Sequence, residues 1–178
     1  VDLTAVLMIP RELAEKQNEY RSLWETNRDK LIHDHLSHLL LNESADTAAL
    51  LASLDQLGLP LDSATRYAII AVHPAAEMEL NWENTVRHAL MLPAIGFEEP
   101  VVFRSHPSAL RLVLILPALP EAELSERLPQ LQVLLEDQAH TAVAFGISRP
   151  SVPHDFPTAC RQVENALSSR FMLGEHAI

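Results

Sequence analysis

Two strand-length apolar runs, residues 100–104 and 110–116, are separated only by the short polar link Ser105-His-Pro-Ser-Ala109. That arrangement predicts an antiparallel hairpin. Before it, Tyr67-Ala-Ile-Ile-Ala-Val72 is an unbroken apolar run, as expected of a strand covered on both faces. A helix follows that run, capped by Asn81, carrying Trp82, Val86, Ala89 and Leu90 on one stripe and ending near Pro93 and Gly96. After the hairpin, residues 121–138 place Leu124, Leu128, Leu131 and Leu135 at helical spacing, with Pro129 predicting a kink or a break. A last strand over 141–148, a proline-rich loop and a helix over 158–170 complete the order β-α-β-β-α-β-α. Ala177-Ile178 could begin a short terminal strand. A hairpin set between two strand–helix units restricts the chain to an α+β fold. The expected form is a four-stranded, antiparallel-containing sheet of the ferredoxin-like, nucleotidyl cyclase-like plan, with packed helices.

Two helices precede this unit. Pro10 is suited to the first turn of a helix running from Arg11 to about Asn42. Leu13, Tyr20, Trp24 and Leu31 recur there at seven- and four-residue steps, while Gln17, Asn27, Asp34 and His38 leave the repeat half polar. The spacing fits a coiled-coil seam, in which Asn27 would fix the register, or one amphipathic helix lying on its own domain. From Leu31 onward apolar residues spread around the helix, which predicts that this end runs into the core. A second helix over 46–57 has Asp46 or Ser44 as cap, the stripe Leu50, Leu51, Leu54 and Leu57, and Gly58 as a left-handed exit. The division expected is a linker helix over residues 1–42 and a domain over 43–178. The run 67–178 is expected to form its own core, so removal of residues 1–28 should leave a folded unit.

The segments Gly146-Ile-Ser-Arg-Pro150, Ala159-Cys-Arg-Gln-Val-Glu-Asn-Ala-Leu167 and Phe171-Met-Leu-Gly-Glu175 follow one another across the last strand, loop and helix. In that order they resemble the end of the middle domain of AraC-type two-component response regulators, over roughly residues 20–178. The same stretch is similar to GGDEF-type nucleotidyl cyclase domains over roughly 66–178, so the chain resembles a degenerate relative of them. The resemblance implies a homodimer through the N-terminal helix, with Leu13, Tyr20, Trp24, Asn27 and Leu31 at the interface. It also implies a receiver domain before this region and an AraC-type helix-turn-helix after it in the parent protein. A chain that starts at Val1 and stops at Ile178 is then expected to be one piece of that parent.

The cyclases' chemistry needs paired glycines for close approach to a triphosphate and carboxylates to hold divalent metal. Where the resemblance places the first, this chain has Ser105-His-Pro-Ser-Ala109, and no two glycines are adjacent anywhere. Where it places the metal-binding acid, at the end of the first strand, stand Val72-His73-Pro74-Ala75, with no acid before Glu77. Phosphoryl transfer without those acids has nothing to hold magnesium, so neither enzymatic activity nor a cofactor is expected. The phosphate-binding loop, the dinucleotide fingerprint and the nucleophile elbow are absent as well.

Histidines give no ligand set. Of His33, His35 and His38 only the last two have helical ligand spacing, which reads as a solvated face. His73, His106 and His154 could meet at one end of the sheet. Glu98-Glu99 and Glu136-Asp137 read as solvated element ends, and Cys160 as a half-buried residue.

Acids outnumber Lys and Arg by 24 to 13, a net charge of −11, and the bases are scattered singly. Nucleic-acid binding draws on clustered cations, so direct DNA contact is not expected. No apolar run reaches the length of about 18 residues that spans a bilayer. With one cysteine and no basic leader, a cytoplasmic location is expected. The expected function is therefore a non-catalytic regulatory and dimerisation domain relaying a signal from a receiver to an AraC-type DNA-binding domain. The competing expectation is a small-molecule-sensing domain of a PucR-type or related transcriptional regulator, because a degenerate fold can keep its cleft.

Overall fold

A computed structural model of the chain describes residues 3–76, 81–105 and 109–173. Among the described residues it is an α+β fold of five α-helices and four strands, in the order α1 (Leu3–Leu41), α2 (Thr47–Gln56), β1 (Tyr67–Pro74), α3 (Trp82–Leu90), β2 (Val101–Phe103), β3 (Leu112–Pro117), α4 (Glu121–Ala139), β4 (Val143–Ile147) and α5 (Phe156–Leu173). Gly174, Glu175 and the candidate strand at Ala177-Ile178 lie outside the described residues, as do His106, Pro107 and Ser108 of the polar link.

The sheet runs β2-β3-β1-β4 and every neighbouring pair is antiparallel. β1 is central, its Ile70 opposite Leu114 on one side and Ile147 on the other. Alternate residues along β1 enter two cores, which is why its sequence shows no polar alternation. Ile69 and Ala71 meet the C-terminal part of α1 with α2 and α5, through Leu36, Leu39, Leu54 and Val163. Ile70 and Val72 meet α3 and α4 through Trp82, Val86, Leu131 and Leu135. Helices therefore cover the sheet on both sides.

Two prolines lie inside continuous helices. α1 does not open at Pro10 but begins at Leu3 and runs through it. α4 is not broken at Pro129. Leu128, Leu131 and Leu135 are buried on either side of it. Together their burial, about 1.5–3 kcal/mol each, exceeds the cost of one interior proline, about 3 kcal/mol.

Caps follow the same logic of local partners. Asp46 is the N-cap of α2 and accepts the Ala49 amide at 3.1 Å. Gly58 leaves the helix at φ +82°. Asn81 occupies the N-cap position of α3, but its side chain caps no backbone amide. Its Oδ1 is taken instead by the Asn84 side chain at 2.6 Å. Replacing Asp46 by Ala should lower the urea midpoint by the equivalent of about 1 kcal/mol, the usual worth of such a cap.

Side chains occupy carbonyls along the outer edges of the sheet. On β2, Arg87 donates to the Val102 carbonyl at 3.0 Å, and the next outward carbonyl, Arg104, lies 2.8 Å from His33 Nε2. On β4, Gln132 donates to the Val143 carbonyl at 2.9 Å while Glu136 accepts the Val143 amide at 3.0 Å. Outward backbone groups spent in this way are withheld from pairing with another strand.

Candidate functional site

Two features could do work: the outer half of α1 and a cavity where α1 ends. α1 is tied down at three levels. Arg28 Nε donates to the Leu57 carbonyl at 2.8 Å, placing a cation at the negative C-terminal end of α2. His33 stacks on Phe103 with ring centroids 5.1 Å apart. Leu36, Leu39 and Leu40 are buried in the core. His33 is thus committed to packing on β2, not to a metal.

Between Leu13 and Asn27 the helix stands clear of the domain. Residues 13–27 are exposed on every side, including Asn27. Tyr20 is 72% exposed, Trp24 61%, Leu13 55% and Leu31 46%. At 100° per residue, Leu13, Tyr20, Trp24 and Leu31 fall on one line, about 130° round the helix from the face formed by Leu36, Leu39 and Leu40. The apolar stripe is therefore not the face that α1 turns to its own domain. Arg28 lies over the Trp24 ring at 5.7 Å, joining the stripe to the anchor. Leu23, 60% exposed, widens the apolar surface beside the stripe. It stands off the seven-and-four spacing, so the seam pattern passes over it.

The cavity holds about 290 Å³ at the His73 end of the sheet. Leu40 from α1, Ala71 and His73 from β1, Arg111 next to β3, and Cys160 and Glu164 from α5 line it. Arg111 Nη1 lies 3.1 Å from Glu164 Oε1. The His73 pKa is lowered from its ordinary value, first by burial and second by the Arg111 charge. Burial, aided by Glu164, pushes the Cys160 thiol up to about 12. A thiol so protonated is a poor nucleophile, and we expect native Cys160 to react with iodoacetamide at pH 8 at least ~100-fold more slowly than in urea.

The His73 shift also has a sign. Its neutral form is favoured in the fold, so the unfolded chain takes up the proton first as pH falls. The contribution is fully present above pH 6.5 and is lost as pH falls from there through the lower folded value. A His73→Gln variant should show a flatter dependence of stability on pH in that window, measured by urea unfolding at several pH values.

His73 and His154 do not meet. Ile147 pairs with Ile70 and Ser151 bridges to Tyr67, so the loop after β4 sits at the Tyr67 end of β1. His154 there lies 3.5 Å from Thr47 Oγ1, while His73 is six residues further along, roughly 20 Å away at strand rise. His106 lies outside the described residues. Among the described residues no group of three or more His, Cys, Asp or Glu could hold a metal ion. The missing sequence signal was Arg111. It is a lone charge in an apolar strand run, with the period that places it on the same side as Val113 and Ile115.

No protein-family profile, curated protein or solved structure matches this chain. Among the described residues no helix is long and apolar enough to cross a membrane.

Proposed function

We propose that this chain is a non-catalytic regulatory and dimerisation domain, and that its helix α1 couples association between two copies to the packed domain behind it. The observation that carries this reading is α1 itself. One continuous helix has an exposed apolar stripe on one face and contributes Leu36, Leu39 and Leu40 to the core from another. A second copy could cover the stripe, with Leu13, Tyr20, Trp24 and Leu31 packing between chains and Asn27 facing its mate to penalise other registers. Movement imposed on the outer half would then reach β2 and α2 through His33 and Arg28.

The β-α-β-β-α-β order with a central β1 supports a ferredoxin-like, cyclase-type plan for the sheet. With the resemblance of residues 146–175 to the middle domain of AraC-type response regulators, it supports a role in transcription regulation. In that role the phosphorelay signal enters from a receiver and leaves to a DNA-binding domain, in the cytoplasm. DNA contact belongs to the parent's helix-turn-helix, given a net charge of −11 here. His73 and its neighbours in place of metal-binding acids support the non-catalytic part of the reading.

Light scattering over a concentration series tests it. The mass should rise from 19.8 kDa towards twice that value as concentration reaches high micromolar. A mass that stays at 19.8 kDa throughout would overturn the proposal.

A further inference from the structure

We propose that the cavity at the His73 end of the sheet binds a small organic anion, a carboxylate carried on a compact apolar body. The inference rests on the cavity of a single chain. It makes the sensing role concrete without depending on dimerisation through α1.

Size comes first. A water molecule occupies about 30 Å³ of liquid, so some 290 Å³ corresponds to roughly ten non-hydrogen atoms of ligand. The recess lies where α1, β1 and α5 converge on the sheet. Its walls are largely apolar, with Leu40, Ala71 and Val163 among them. They suit an aliphatic or aromatic body better than a sugar or a nucleotide.

The polar groups decide the charge. Arg111 has five N–H donors. Its Nη1 reaches Glu164, while its Nε is buried without a hydrogen-bond partner among the described residues. A guanidinium in that state has donors to spare, and its planar fork matches a carboxylate in two parallel hydrogen bonds. Glu164 is the more exposed half of the pair, at 54% against 36%. It can swing to water and give up its place. Local charge favours the exchange over the remote field, because the chain's −11 is screened beyond about 8 Å at physiological salt. The cavity then has the make-up of a ligand site, an apolar lining with one oriented polar anchor.

The whole chain is titrated with benzoate and with hexanoate, by calorimetry and by thermal unfolding, with benzamide and inorganic sulfate as controls. Both carboxylates should bind at millimolar concentration or tighter and raise Tm, since a ligand of the native state stabilises it. Benzamide and sulfate should bind at least ~10-fold more weakly. Arg111→Gln should weaken benzoate by about tenfold or more. Glu164→Gln, on the exposed side of α5, should tighten it by freeing Arg111 from its rival. Should Arg111→Gln unfold the chain, the Glu164→Gln result decides alone. No binding of either carboxylate, equal binding of benzamide or sulfate, or unchanged or weaker binding in Glu164→Gln would overturn the proposal.

Discussion

Gly146→Ala should be among the most damaging single substitutions in this chain, costing about 3 kcal/mol or more. Gly146 lies in β4 directly under α5. A Cβ built there falls 2.5 Å from the Val163 carbonyl oxygen and 3.0 Å from Leu167 Cγ. The first contact is with helix backbone, so a rotamer change cannot relieve it, and α5 must move off the sheet. Domains of this kind are stable by only about 5–15 kcal/mol. Gly146→Val should therefore leave little folded protein. By contrast, Gly58 and Gly96 have positive φ but nothing nearer than 3.4 Å, so alanine there costs only the left-handed strain of about 1–2 kcal/mol. Urea unfolding of the three alanine variants separates the mechanisms. A Gly146→Ala midpoint no lower than that of Gly58→Ala would contradict the close packing of β4 on α5.

A chain beginning at Asn27 should remain folded and become monomeric at concentrations where the full chain associates. Tyr20 and Trp24 leave with the deleted segment, and each could bury about 1.5–3 kcal/mol between chains before association costs are subtracted. The domain loses little, because residues 13–26 are all exposed. Removing residues 1–28 is different in kind. That cut also takes Arg28, whose bond to the Leu57 carbonyl closes α1 onto α2. A charged hydrogen bond of this sort contributes about 1.5–3 kcal/mol, so the shorter chain should be the less stable by roughly that amount. Light scattering and urea titration of both chains read the two effects separately. A dimer in the chain starting at Asn27 would place self-association elsewhere.

Periodic features were legible before the fold. The stripe Trp82, Val86, Ala89 and Leu90, the cap at Asp46 and the left-handed Gly58 each depend on neighbours within one or two helical turns. Such neighbours are visible in a linear string. The unbroken helix at Pro129 reflects a local cost that competes with distant burial, such as that of Leu131 against β1's far face. The separation of His154 from His73 has a related cause. Whether His154 joins His73 depends on the β1–β4 register, which no local spacing encodes. Arg111 and Glu164, 53 residues apart, likewise come together only through the packing of α5 on the sheet. The Gly-Ile-Ser segment was singled out by resemblance alone, and the structure supplies a reason for its outer residues. Gly146 admits α5, and Ser148 Oγ accepts the Ile69 amide at 3.1 Å, extending the ladder by a side chain.

The bond between Arg28 and Leu57 makes α1 an unequal-armed lever. At 1.5 Å per residue, about 37 Å of helix lies on the Leu3 side of that fulcrum and about 20 Å on the Leu41 side. A tilt that displaces the outer tip by 2 Å would therefore displace Leu40, in the cavity wall, by about 1 Å. The gearing runs from large motion outside to small motion inside. A displacement of that size is comparable to the gaps over which packed side chains lose contact, so the inner arm can register a swing of the outer one without unseating the core.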